Sequence, residues 1–175
     1  MPASESALLI AVPEAEPLVT EWRDRYDPVA LQGVPAHVTV LFPFKAPESV
    51  TDADLETLSG TFRDFAAFDF ELADVRSFPG VWFLAPEPAG AFKALTRAVQ
   101  SRFPDYPPYR GVFGNDSVPH LTVAQIADPT AFTAIGAQLK TAAASVLPLQ
   151  ARAEDVWLMD NTSGRWAVRR RFNLG

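Results

Sequence analysis

The sequence has no cysteine and only two histidines, His37 and His120. Without Cys there is no disulfide framework, no thiolate zinc site and no Cys nucleophile. Basic residues are outnumbered, 15 Lys and Arg against 21 Asp and Glu, giving a formal net charge of −6. Such a chain is a poor match for extended nucleic acid, because that affinity comes mainly from Lys and Arg neutralising phosphates. Long apolar runs are missing too. The opening MPASESA carries no basic n-region, and the apolar stretch 8–12 is far too short to span a bilayer. There is no GxSxG segment, and no glycine loop ends in the Lys-Ser/Thr of a P-loop. What remains is 175 residues of which 48% are hydrophobic and 21% charged, an ordinary globular composition. We expect a cytoplasmic monomer with no membrane segment, burying roughly 70% of its unfolded surface.

The 16 prolines fall at boundaries and divide the chain. Strands are expected at 7–12, 37–42, 68–75, 81–84 and 120–126, from short apolar or alternating runs closed by proline or turn residues. Helices are expected at 14–26, 51–65, 90–103 and 128–144. Thr51 with Asp54 reads as a capping pair and Asp128 as a cap, while Phe92, Leu95, Val99 and Phe103 form one stripe. Residues 104–119 read as a Pro- and Gly-rich loop. Strand-like stretches at 149–159 and 165–174 flank the turn 160–164.

The order repeats. LLIAVPE returns as VWFLAPE and PAHVTV as VPHLTV. The hairpin 68–84 with Trp82 is echoed by 149–168 with Trp166, which puts the two tryptophans at matching positions. Mixed helices and hairpins indicate an α+β class. No polar linker separates the halves, so 1–175 is expected to be one domain of two interleaved, similar lobes.

Both histidines stand in the same pattern, His-apolar-Thr-Val. Thr occupies 11 of 175 positions, so Thr two residues after each His is roughly a 1-in-250 coincidence. In a strand, residues i and i+2 share a face. His37 and Thr39 therefore project together, as do His120 and Thr122, and a pseudo-twofold would bring the pairs across one cleft. Two imidazoles are suited to acid–base work near neutrality, one accepting a proton while the other donates. Threonine hydroxyls can steady non-bridging phosphate oxygens. Two histidines without a third ligand make a poor metal site, and none is expected.

These residues resemble the 2H phosphoesterase superfamily, defined by two HxTx motifs, and within it the 2′-5′ RNA ligase family. PAHVTVLFPF, FPGVWFLAPEP and YPPYRGVFGNDSVPHLTVA are similar to that family's segments, so the resemblance spans nearly the whole chain. It implies a bilobal α+β fold with mostly antiparallel sheets lining a central cleft and helices outside. The implied activity is metal-independent cleavage of 2′,3′-cyclic phosphate or 2′-5′ phosphodiester bonds, with ligation as its reverse and no cofactor. His37, Thr39, His120 and Thr122 would be the catalytic set, and the partner a small cyclic-phosphate nucleotide or RNA terminus. Several relatives carry an Arg shortly after the second motif, where this chain has Gln125. The competing reading is a non-catalytic nucleotide-binding module on the same scaffold; two intact titratable pairs favour the enzyme.

Three further residues are candidates for substrate contact. Phe42 could stack on a nucleobase, and Lys45 and Arg110 lie in loops near the motifs where they could meet phosphate. Arg169, Arg170 and Arg171 fit a charged edge strand better than a binding site.

Overall fold

The computed structural model describes residues 2–114 and 116–175; Asn115, within the loop expected over 104–119, lies outside the described residues. Among the described residues, eight strands form two four-stranded antiparallel sheets. The first runs β2 (His37–Leu41), β1 (Ser6–Ala11), β7 (Asp155–Asp160), β8 (Ala167–Asn173). The second runs β5 (Leu121–Gln125), β4 (Val81–Glu87), β3 (Phe68–Phe78), β6 (Leu149–Ala153). β1 therefore corresponds to β4 and β2 to β5, and each histidine motif lies on a sheet edge. The second pair of strands in the first sheet comes from the C-terminal end of the chain, so the lobes interlock.

Among the described residues, five α-helices connect the strands: α1 (Glu16–Tyr26), the short α2 (Pro28–Leu31), α3 (Asp52–Arg63), α4 (Ala89–Arg102) and α5 (Pro129–Ala143). Local chemistry sets their starts. Thr51 Oγ1 accepts from the Asp54 N–H while Asp54 accepts from the Thr51 N–H, a reciprocal capping box on α3. Asp128 caps α5 by accepting from the Ala131 N–H at 2.7 Å. The inward stripe of α4, Phe92, Leu95 and Val99, joins one continuous core with Ile10, Val38 and Leu158 from the first sheet and Phe70, Leu84 and Leu121 from the second. Removing that apolar area from water is the main stabilising term.

The two halves share a backbone irregularity. Leu8 pairs with Leu41 and Leu9 with Thr39; Trp82 pairs with Ala124 and Phe83 with Thr122. In each case one strand advances by one residue and the other by two, so Val40 and Val123 are the extra residues of matching β-bulges. This register also corrects the expected repeat. Leu8 corresponds to Trp82, so LLIA aligns with WFLA, one residue out of step with the alignment that matches the prolines.

Other expectations change as well. Trp82 lies inside β4, whereas Trp166 precedes β8, so the two tryptophans are not equivalent. Trp82 instead stacks on Phe132 at 4.6 Å and donates to its carbonyl at 2.8 Å. The stretch 149–159 is two strands in different sheets, separated at Glu154, because Phe68–Leu72 pairs with Leu149–Ala153 while β7 pairs with β1 and β8. β8 is an edge strand. Within it, Arg169 donates to the Pro47 and Val50 carbonyls and Arg171 lies 4.2 Å from the Trp157 ring centre.

Candidate active site

β2 and β5 approach each other across the two sheets. Alternation buries Val38 and Val123 completely while leaving His37, Thr39, His120 and Thr122 half-buried. Thr39 of the first motif and His120 of the second line one cavity, so the motifs, 83 residues apart by number, do meet.

The two imidazoles are held alike. His37 Nδ1 lies 2.8 Å from the Pro35 carbonyl oxygen, and His120 Nδ1 lies 2.7 Å from that of Val118. A carbonyl only accepts, so each Nδ1 carries the hydrogen, and in the neutral ring each Nε2 is left with a free lone pair. The acceptor is two residues upstream in both cases. The prolines in PAH and VPH help keep this upstream backbone extended.

Their surroundings differ. Burial pushes the His37 pKa down to about 4; the Pro35 carbonyl opposes this, and the charges of Arg23 and His120 reinforce it. Burial also lowers His120, with the Val118 carbonyl opposing. The walls around His120 are aromatic: Phe78 stands perpendicular at 5.2 Å, Phe83 at 5.6 Å, and Tyr109 stacks at 6.4 Å. Behind His37, the Ala36 N–H donates to Glu16 of α1 at 2.8 Å. Arg23, only 3% exposed, forms a buried ion pair with Asp27 at 3.0 Å and donates to the Val34 carbonyl. Gln125 donates to the other Asp27 oxygen at 3.2 Å, tying β5 to α1.

The other sequence candidates fare unevenly. Phe42 follows β2, half-exposed and edge-on to Trp166 at 6.2 Å. Lys45 is not brought to the histidines. Its ammonium is paired with Asp54 at 2.7 Å, and its carbonyl accepts from Ser6 at the far end of β1 from Ala11, the partner of His37. Five strand residues separate those ends by about 17 Å. Arg110 also turns away: it is 74% exposed and ion-paired with Glu5 at 3.0 Å. The backbone is the cause, since Tyr109, Arg110 and Gly111 all have positive φ (50°, 55° and 78°) and this left-handed turn sends Tyr109 inward and Arg110 outward.

Several residues at the cavity escape the sequence reading. Tyr109 lines it beside Thr39, and burial raises its phenol pKa while the Thr39 side chain opposes the rise. Lys93 and Arg97 line the cavity from α4, with Ser117 from the loop before β5. The one available signal for the cations is their i, i+4 spacing on the face of α4 opposite its apolar stripe. Among the described residues, no three His, Asp or Glu side chains group as metal ligands would, and no helix is long and apolar enough to cross a membrane.

Comparison with known proteins bears on the fold and the family. No curated protein matches the chain. Among solved structures, LigT of E. coli complexed with 3′-AMP superposes with a TM-score of 0.64 at 15% identity, covering 99% of each chain. The same protein complexed with NADP+ gives 0.63 at 19%, again covering 99% of each chain. TT0787 of Thermus thermophilus gives 0.60 at 18%, covering 97% of each. Residues 11–165, which include both histidine motifs, match the profile of the 2′-5′ RNA ligase superfamily, and the chain belongs to that family.

Proposed function

We propose that this protein is a 2H-type phosphoesterase that hydrolyses 2′,3′-cyclic phosphate or 2′-5′ phosphodiester bonds of a small nucleotide or RNA end. The observation that carries the reading is the matched restraint of the two imidazoles, each with Nδ1 tied to a carbonyl two residues upstream and Nε2 left for chemistry. Family membership supports the reaction class, and the nucleotides in the LigT crystals support a nucleotide ligand.

His37, the more strongly depressed of the two, is neutral at pH 7 and acts as general base. Its Nε2 takes a proton from water, whose oxygen attacks phosphorus in line. The bond from phosphorus to a ribose oxygen breaks, and His120, protonated on Nε2 when the anionic substrate is bound, gives that oxygen its proton. Thr39 and Thr122 donate to the non-bridging oxygens. Solvent returns a proton to His120 and takes one from His37. Ligation is the same in-line displacement with a 5′-hydroxyl in place of water: one histidine takes its proton, the bond from phosphorus to the ribose 3′ oxygen breaks, and the other histidine protonates that oxygen; attack of the 3′-hydroxyl on the 2′-5′ bond is its reverse, with the two histidines exchanging roles. Phe42, edge-on to Trp166, offers an aromatic edge for the base.

Incubation with 2′,3′-cyclic nucleotides in EDTA, followed by phosphorus NMR, tests this directly. Turnover is expected, with His37→Ala and His120→Ala each lowering it about 10²–10⁴-fold. Saturable binding without product would instead identify a nucleotide-binding module.

A further inference from the structure

The cavity that joins Thr39 and His120 extends away from the reacting centre toward two cations. Lys93 and Arg97 stand one turn apart on α4 and line it together with Tyr109 and Ser117. Between them Thr96 donates to the Val40 carbonyl at 2.7 Å, fixing this turn of α4 against the β2 bulge. The cations are therefore held by the same strand that presents His37 and Thr39. Lys93 is largely packed, its side chain 28% exposed, while its partner Asp116 is 77% exposed and only 2.8 Å away. Arg97 has no ion pair or side-chain hydrogen bond among the described residues. Both cations nonetheless hold the Asp116 carboxyl below the usual carboxylate range. In a chain of net charge −6, two cations on the cavity that His120 lines, answered among the described residues by one carboxylate from a surface loop, are a local excess.

We propose that Lys93 and Arg97 form a second anion subsite, which takes a further phosphate of the substrate beside the one that reacts. This rests on the phosphoesterase reading above. Asp116 occupies the place of that phosphate in the free protein. The free cavity, about 20 Å³, holds one water rather than a phosphate, so the anion enters as the carboxylate leaves. An exposed ion pair is weak enough to give way to a phosphate, which offers more acceptor oxygens to both cations. The further phosphate has two chemical sources, the 5′-phosphate of a mononucleotide or the internucleotide phosphodiester of an RNA end.

Two measurements decide. The first compares kcat/KM for adenosine 2′,3′-cyclic phosphate, its 5′-phosphorylated form, and a dinucleotide ending in the same cyclic phosphate. Either added phosphate is expected to raise kcat/KM about tenfold, and the Lys93→Gln/Arg97→Gln double variant should bring the ratio to about one. Gain with the 5′-phosphate alone identifies a mononucleotide, and gain with the dinucleotide alone an RNA end. A wild-type ratio of one, or a ratio the double variant leaves unchanged, overturns the subsite. The second measurement, calorimetric binding of adenosine 3′,5′-bisphosphate against adenosine 3′-phosphate, needs no turnover. About tenfold tighter binding of the bisphosphate is expected, lost in the double variant and strengthened several-fold in Asp116→Asn. Equal affinities, or no gain in Asp116→Asn, contradict the proposal. Absence of turnover on all three substrates would refute the phosphoesterase reading while the binding comparison still judges the subsite.

Discussion

Tyr109 lines one cavity with Thr39, and the same tyrosine stacks on His120 at 6.4 Å. One side chain thus spans both motifs. Its backbone, left-handed at φ 50°, is anchored by donation from its N–H to the Phe42 carbonyl at 2.6 Å. Tyr109→Phe keeps the stacked ring and removes the cavity-lining hydroxyl, whose hydrogen bonding, at a net worth of about 0.5–1.5 kcal/mol, translates to a 2- to 10-fold change. We expect that loss in kcat, with KM changing less. Steady-state kinetics on a cyclic nucleotide checks it; an unchanged kcat means the hydroxyl does not serve the reaction.

Acid should weaken the fold through His37. Its pKa is about 4 when folded and about 6.5 when unfolded. As pH falls below 6.5 the unfolded chain takes up the proton first, so stability present above that value is lost progressively down to pH 4. The amount is about 2–3 kcal/mol, and the downward shift of His120 adds to it in the same direction. Urea unfolding at pH 7.5 and pH 4.5 should show a clearly smaller acid loss for His37→Gln than for the wild type. Equal losses would contradict a desolvated, neutral His37.

The buried Arg23–Asp27 pair predicts an asymmetry between single and double variants. Arg23→Met strands a carboxylate that is fully buried, at a cost of about 3–5 kcal/mol. Converting Asp27 to Asn as well should recover most of that. Because the Arg23 charge also depresses His37, the double variant should raise the His37 pKa in an NMR titration. Thermal melts and that titration report the two effects separately.

Gly136 gives a prediction whose sign separates helix propensity from packing. In an exposed helix Gly→Ala stabilises by about 1 kcal/mol. Here a Cβ would overlap the Trp82 ring, so Gly136→Ala must displace the indole from its bond to Phe132. Net destabilisation of about 1–2 kcal/mol is expected and is measurable by urea unfolding. A more stable variant would mean that the ring moves freely.

The strands bearing the two motifs, the capped helices α3 and α5 and the α+β class were legible in the sequence because period, caps and proline boundaries are local signals. The placement of charge was not. Lys45 and Arg110 lie near the motifs in the chain, but their partners, Asp54 and Glu5, are set by the α3 cap and a left-handed turn. Lys93 and Arg97 lie far from either motif in sequence and reach the cavity only because α4 packs on β2. The division of 149–159 between two sheets was equally hidden, since each half satisfies the same alternation. The offset in the repeat comes from Val12, one extra residue between β1 and its proline; the bulges at Val40 and Val123, alike in both halves, leave it unchanged.

Those bulges bear on how short the reactive surface is. In a regular strand position 41 would face the cleft with His37 and Thr39, and position 124 with His120 and Thr122. The extra residue at Val40 and Val123 turns both inward instead, so that Val40 with Leu41, and Val123 with Ala124, join the core. Each edge strand thus offers the substrate two side chains and then withdraws. Deleting Val40 would keep both residues of the first motif, move Leu41 into Val40's inward place and bring Phe42 to the next position on the cleft face, two residues after Thr39.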